Sequence, residues 1–133
     1  MADYVSLVRT NYFRVKDLER FKEFCRRYGL SPIDGPSGSV GFMLEGVNEG
    51  IPSGYVDETG EYHEVDFFGE LSRLLVEGQV AEVREIGNEK MRYLVGCTVA
   101  VHSNGERLEV NLNDIYRLAK EKWPDAEMTL CEY

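Results

Sequence analysis

Residues 91–112 read MRYLVGCTVAVHSNGERLEVNL, two β-branched and apolar runs separated by Asn104-Gly105. Asn-Gly between alternating runs is the strongest short-range hairpin signal, because both residues accept the positive φ of a tight turn. Placing Ser103 opposite Glu106 sets Val101 against Leu108, Val99 against Val110 and Cys97 against Leu112. Every pair on that face is then apolar, so turn chemistry and side-chain pattern agree on one register. Residues 79–86, QVAEVREI, predict a preceding strand that turns through Gly87-Asn88. Glu85 then faces either Lys90 or Arg92, and both registers stay open because both pair opposite charges. The second half of the chain thus reads as an antiparallel meander.

The segments around it alternate in type. Residues 4–15, YVSLVRTNYFRV, predict a strand. Its apolar face carries Val5, Leu7, Phe13 and Val15, interrupted by Arg9 and Asn11, which suggests a bulge or a sheet edge near Thr10. Asp17 is placed to cap a helix whose inner face is Leu18, Phe21, Phe24, Cys25 and Tyr28, with Gly29 as its stop. SPIDGPSG at 31–38 is turn chemistry, and SVGFMLE at 39–45 is a short strand. Residues 55–57 and 61–63 flank Glu58-Thr59-Gly60 as a small hairpin. Asp66 caps a second helix with Phe67, Phe68, Leu71, Leu74 and Leu75 inward, ended by Gly78. After the meander, Asn111 or Asn113 caps a third helix, and Ile115, Leu118, Ala119 and Trp123 form its buried stripe. Pro124 stops that helix, and 127–133 add a last strand. The order β-α-β-β-α-β-β-β-α predicts an α+β fold: a mainly antiparallel sheet of five to six strands with three helices, related to the ferredoxin-like arrangement. One domain spans 1–133, with 46–65 its irregular, acidic part.

Charge is unevenly placed. The chain of 133 residues has a formal charge of −9. From Tyr28 to Ser72 there is no Lys or Arg, while Asp34, Glu45, Glu49, Asp57, Glu58, Glu61, Glu64, Asp66 and Glu70 all fall there. The remaining fifteen acids balance the fifteen bases. The first 27 residues lean the other way, with Arg9, Arg14, Lys16, Arg20, Lys22, Arg26 and Arg27 against four acids. A one-signed segment steers a cationic partner. The acidic balance argues against direct nucleic-acid binding, which needs bases to replace phosphate counterions. No apolar run reaches the roughly 18 residues of a membrane span, and no basic-then-apolar leader opens the chain. Three cysteines in no metal spacing fit a reducing compartment, so a cytoplasmic protein is expected.

Catalytic and metal signatures are weak. DETGEYHE at 57–64 concentrates carboxylates around His63 but lacks the EF-hand ligand order, and a solvated acidic loop explains it. Cys25 and Cys97 fall on apolar faces as small hydrophobes, and Cys131 has no basic neighbour to lower its pKa. No phosphate-loop motif is present. The expectation is therefore no catalytic residue, no metal and no cofactor.

The opening YVSLVRTNYFRVKD (Tyr4 to Asp17), together with Gly87-Asn88-Glu89-Lys90-Met91-Arg92-Tyr93, resembles small proteins carried by bacterial and archaeal plasmids, integrative elements and phages. The resemblance covers about a quarter of the chain and implies genomic company among inhibitors of host defence, anti-CRISPR and anti-restriction proteins included. Such inhibitors often occupy a basic nucleic-acid channel with carboxylates in place of phosphates. The expected function is a non-enzymatic protein-binding module meeting a Lys/Arg-lined surface of a host nucleoprotein complex. Its contact residues would be Glu45, Glu49, Tyr55, Asp57, Glu58, Glu61, Tyr62 and Glu64, with Tyr55 and Tyr62 as anchors. The alternatives are a ligand-binding or enzymatic pocket near Arg9, Asn11 and Tyr12, and a homodimer through the sheet edge.

Overall fold

The computed structural model describes residues 4–47, 50–90 and 92–131. Strands β1 (Tyr4–Thr10), β2 (Ser31–Asp34), β3 (Val40–Val47), β6 (Val80–Glu89), β7 (Arg92–His102) and β8 (Arg107–Asn111) form one sheet in the order β2-β3-β1-β6-β7-β8. Every pairing in it is antiparallel. Strands β4 (Gly54–Val56) and β5 (Tyr62–Glu64) form a separate two-stranded hairpin. Helices are α1 (Leu18–Tyr28), α2 (Phe67–Leu74) and α3 (Asp114–Lys122). This is the expected α+β class with a mainly antiparallel sheet.

The helix starts follow from side-chain chemistry. Asp17 accepts the Glu19 and Arg20 amides, and Gly29 closes α1 at φ +69, a conformation that favours glycine. Asp66 accepts the Gly69 amide at the start of α2. Phe21, Phe24, Cys25 and Tyr28 of α1 meet Phe67 and Leu71 of α2 over Val8, Phe42, Ala81 and Val83 of the sheet. Leu18, expected inward, is half exposed, because the stripe through Phe21 and Phe24 already fills the contact. Segment 31–34, expected as turn, is an edge strand. Pro32 is tolerated there because an edge strand can spare one ladder donor.

The strand expected over 4–15 ends at Thr10, and its inner face is the opposite one. Ser6, Val8 and Thr10 are buried, while Val5 and Arg9 are exposed. Pairing with β3 shows why. Arg9 faces Met43, but Phe13 bridges Val40, so β1 carries one extra residue between these points. A bulge of one residue reverses the alternation, so buried positions are even before it and odd at Phe13. The hydroxyl of Thr10 fills the gap by accepting the Phe42 amide at 2.9 Å.

Both meander registers differ from expectation. His102 donates its amide to the Glu106 carbonyl and Gly105 donates to the His102 carbonyl. The loop is thus three residues long, with Gly105 at φ +94. Val101 faces Arg107 and Ala100 faces Leu108, one residue off the expected pairing. That slip moves Leu108 and Val110 to the sheet face away from Val99 and Val101. Upstream, Glu85 faces Cys97, not Lys90 or Arg92. The turn lies at Lys90, at φ +52, while Gly87 stays in β6, where a Cβ would strike the Tyr4 ring at about 2.6 to 2.7 Å. Helix α3 buries none of its residues, contrary to the stripe expected at Ile115, Leu118, Ala119 and Trp123. Residues 127–131 form no strand, and α2 ends at Leu74, before Gly78.

Candidate functional site

The β4–β5 hairpin is built around one carboxylate. Asp57 Oδ1 accepts the Thr59 amide at 2.8 Å, the Thr59 hydroxyl at 2.6 Å and the Glu61 amide at 3.0 Å. Asp57 Oδ2 lies 2.6 Å from His63 Nε2. An aspartate that satisfies its own turn in this way fixes the loop without help from the core. Gly60 at φ +87 completes the turn. Gly54 lets the two strands close, since a Cβ there would collide with the His63 carbonyl and the Tyr62 ring.

The hairpin is fastened to α1 by its inward aromatic. Tyr55 stacks on His63 at 5.2 Å, meets Tyr28 edge-on at 5.9 Å and lies under the Arg27 guanidinium at 5.4 Å. Tyr55 is therefore a foot of the hairpin rather than a free anchor. The outward side is different. Val56 and Tyr62 face each other across the strands and are 62% and 56% exposed. Glu64 shares that face, Glu58 lies in the turn, and Glu61 turns its carboxylate to the other face, within 4.8 Å of Asp57 and His63; all three glutamates are exposed and without an ion pair among the described residues. Arg26 and Arg27 border the same region across an open hollow of about 610 Å3, but Glu23 and Glu70 already engage them at 2.6 and 3.2 Å.

Glu45 sits on β3 opposite Leu7, on the sheet face without helices. Glu49 lies outside the described residues. Asp66 pairs with Arg107 at 2.7 Å, and Glu70 accepts the Tyr28 hydroxyl at 2.7 Å. The base-free segment is thus divided: Asp57, Glu58, Glu61 and Glu64 gather on the hairpin, and the other described acids serve α2 or separate strands. Of the alternative ligand set, Arg9 donates to the Tyr12 hydroxyl at 3.2 Å. Asn11 spends its amide on the backbone of Val80 and Glu82, so it ties the end of β1 to β6.

Asp57, Glu61 and His63 place their ligand atoms within 4.8 Å of one another, a donor set able in principle to hold a cation. The Asp57 oxygens are already occupied by the four donors above, so an ion would have to displace the contacts that shape the turn. Cys25 is buried, and burial pushes its thiol up to about 12, which makes it inert as a nucleophile. Cys97 is raised too, by burial and then by Glu85.

Hydrogen bonds from Thr59, followed by His63, hold the Asp57 carboxyl well below the usual carboxylate range. A depressed folded-state pKa means that the ionised form supports the fold. That support is complete above the unfolded value of about 3.9 and falls as acid protonates Asp57. The amide resonances of Thr59 and Glu61 are expected to lose exchange protection as pH drops below about 4. In Asp57→Ala their protection is already low and stays flat over the same range.

Tyr62 is among the contact residues expected from the sequence, but its pairing with Val56 on the exposed side was not legible, because that depends on which face of the hairpin meets α1. The turn itself was signalled by Asp57, Thr59 and Gly60. No protein-family model, curated protein or solved structure matches the chain.

Proposed function

We propose that the protein is a non-enzymatic binding module whose β4–β5 hairpin docks on a basic protein surface. The observation that supports it is the exposed Val56–Tyr62 pair on a hairpin that also carries exposed Glu58, Glu61 and Glu64 and whose shape is fixed before binding. A buried aromatic contact with a charged rim is the usual division of labour at an interface: the apolar centre holds, and the rim guides approach. A preformed loop loses little conformational entropy on docking. In line with the resemblance to mobile-element proteins, the partner is a nucleic-acid-binding component of a host defence complex. Its phosphate channel supplies the lysines and arginines that the glutamates would meet in place of phosphates. The protein then acts as an inhibitor in the cytoplasm.

The test is affinity capture from lysate with three baits: wild type, Glu58→Lys/Glu61→Lys/Glu64→Lys, and Tyr62→Ala. Asp57 is left untouched because it builds the turn. Basic nucleic-acid-binding proteins retained by wild type are expected to be lost from both variants. Retention of the same proteins by all three baits would refute the hairpin as the contact.

A further inference from the structure

The largest unexplained feature is apolar surface at the other end of the sheet. The chain exposes 9212 Å2, whereas a folded monomer of 15.2 kDa exposes about 7,100 Å2. The excess on this one chain is larger than the roughly 800 Å2 that each partner buries in a specific protein interface. Leu108, Val110 and Leu112 stand 57–76% exposed on the sheet face without helices. Ile115 and Leu118 of α3, which follows β8 directly, and Trp123 just beyond its end are also about half exposed.

Strand β8 is also an open edge. The two sheet edges differ: Pro32 blunts β2, but β8 has no proline. Leu112 donates to Gly96 and Glu106 accepts from His102, so the even residues of this strand turn their backbone groups toward β7. Arg107, Glu109 and Asn111 consequently point theirs outward. The Asn111 amide is taken by Asp114 at 2.7 Å. Among the described residues, the backbone N–H and C=O of Arg107 and Glu109 are left for another strand.

We propose that a second copy of this chain supplies that strand, with β8 pairing antiparallel to β8 about a two-fold axis through Leu108, so that the six-stranded sheet continues across the interface. The register follows from three constraints. Side chains on one face must meet side chains on the same face, so residues pair only odd with odd or even with even. A two-fold through Glu109 would set two carboxylates against each other and would require the Asn111 amide that Asp114 holds. A two-fold through Leu108 uses only the free groups of Arg107 and Glu109, each Arg107 exchanging hydrogen bonds with Glu109 of the other copy. It also places Arg107 opposite Glu109 on both sides of the axis, so that the guanidinium already held 2.7 Å from Asp66 gains a second carboxylate, and sets Leu108 against Leu108 at the centre. A foreign strand would have no reason to carry that self-matching charge order. The proposal is independent of the hairpin reading, since it involves none of residues 54–64.

Analytical ultracentrifugation of the full chain, from micromolar to near-millimolar concentration, tests it. Wild type is expected to sediment as a dimer of the 15.2 kDa chain. Glu109→Arg, which opposes Arg107 with a second cation twice, is expected to weaken dimerisation at least about tenfold with an unchanged circular dichroism spectrum. Arg107→Glu/Glu109→Arg, which restores opposite charges across the axis while giving up the Arg107–Asp66 pair, is expected to recover the dimer at some loss of monomer stability. Leu108→Cys in a Cys131→Ser background is expected to form an intermolecular disulfide under mild oxidant, and Glu109→Cys is not. A chain that stays monomeric at every concentration overturns the proposal, as does a dimer indifferent to Glu109→Arg. A dimer cross-linked through Glu109→Cys instead overturns the register. If the charge-swapped double variant alone misfolds, the Leu108→Cys cross-link decides. Hairpin variants are expected to dimerise as wild type does, so failure here and failure of partner capture are read separately.

Discussion

Phe42→Ala is expected to cost about 3–5 kcal/mol, the largest loss from any single truncation in the core. Phe42 is fully buried and meets Phe13, Phe24 and Phe67 edge-on at 6.5, 6.2 and 6.1 Å. It is thus the point where the sheet, α1 and α2 come together. Removing the ring leaves a cavity shared by the sheet, α1, α2 and the segment at Phe13, and edge-to-face contacts worth about 0.5–1.5 kcal/mol each beyond area burial disappear with it. Against a typical total of about 5–15 kcal/mol, such a loss brings the domain near its folding threshold. Urea denaturation followed by far-UV circular dichroism measures it, with Phe42→Leu as the control that keeps most of the volume. A loss below about 1 kcal/mol for the alanine variant would mean that the aromatic cluster is not the centre of the fold.

Thr10→Val is expected to cost about 1–3 kcal/mol although it changes almost no volume. The Thr10 hydroxyl accepts the buried Phe42 amide and donates to the Asn11 carbonyl at 2.8 Å, so one side chain satisfies the backbone where the bulge interrupts the ladder. Valine fits the space and leaves the amide without a partner, the expensive half of a broken hydrogen bond. Thr10→Ser, which keeps the oxygen, is expected to lose less than half as much in the same denaturation experiment. Equal losses for valine and serine would assign the effect to the lost methyl contacts and not to the bulge.

The bulge near Thr10 was legible from Arg9 and Asn11 on an otherwise apolar face, but the reversal of the buried face that it brings was not. Caps are local: Asp17, Asp66 and Gly29 act within four residues of themselves, and the chemistry that announces them is the chemistry that operates. The β4–β5 turn is equally local, built from Asp57, Thr59 and Gly60. Register is not local. The pattern around Asn104-Gly105 favours an all-apolar pairing with Leu108 and Val110 inside. His102 and Asn104, however, bond the loop backbone through Asn104 N to His102 Nδ1 and Glu106 N to Asn104 Oδ1, and this holds three residues in the loop. One extra loop residue outweighs the burial of two side chains and turns them to the open face. The same holds for α3, whose spacing of Ile115, Leu118 and Trp123 is that of an inward stripe. Spacing says that a face wants a cover and does not say whether the cover belongs to the same chain.

At the candidate site the same division appears. The concentration of acid between Tyr28 and Ser72 is visible in the sequence, but its separation into hairpin, α2 and open sheet is not. Tertiary contacts decide it: Arg107 takes Asp66, Arg27 takes Glu70, and Glu58, Glu61 and Glu64 remain. Tyr55 and Tyr62 are equivalent in composition and opposite in role, since the position seven residues apart places one toward α1 and the other toward solvent.

The decisive measurement is the association rate of wild type and of Glu58→Lys/Glu61→Lys/Glu64→Lys with a captured basic partner, followed from low to high ionic strength. Wild type is expected to associate fast at low salt and to slow steeply as salt screens the glutamates, whereas the triple variant starts slow and shows little or inverted salt dependence. The two curves should converge near 1 M salt, where the screening length is about 3 Å. Superimposable curves at every ionic strength would contradict a hairpin that guides the partner by its charge.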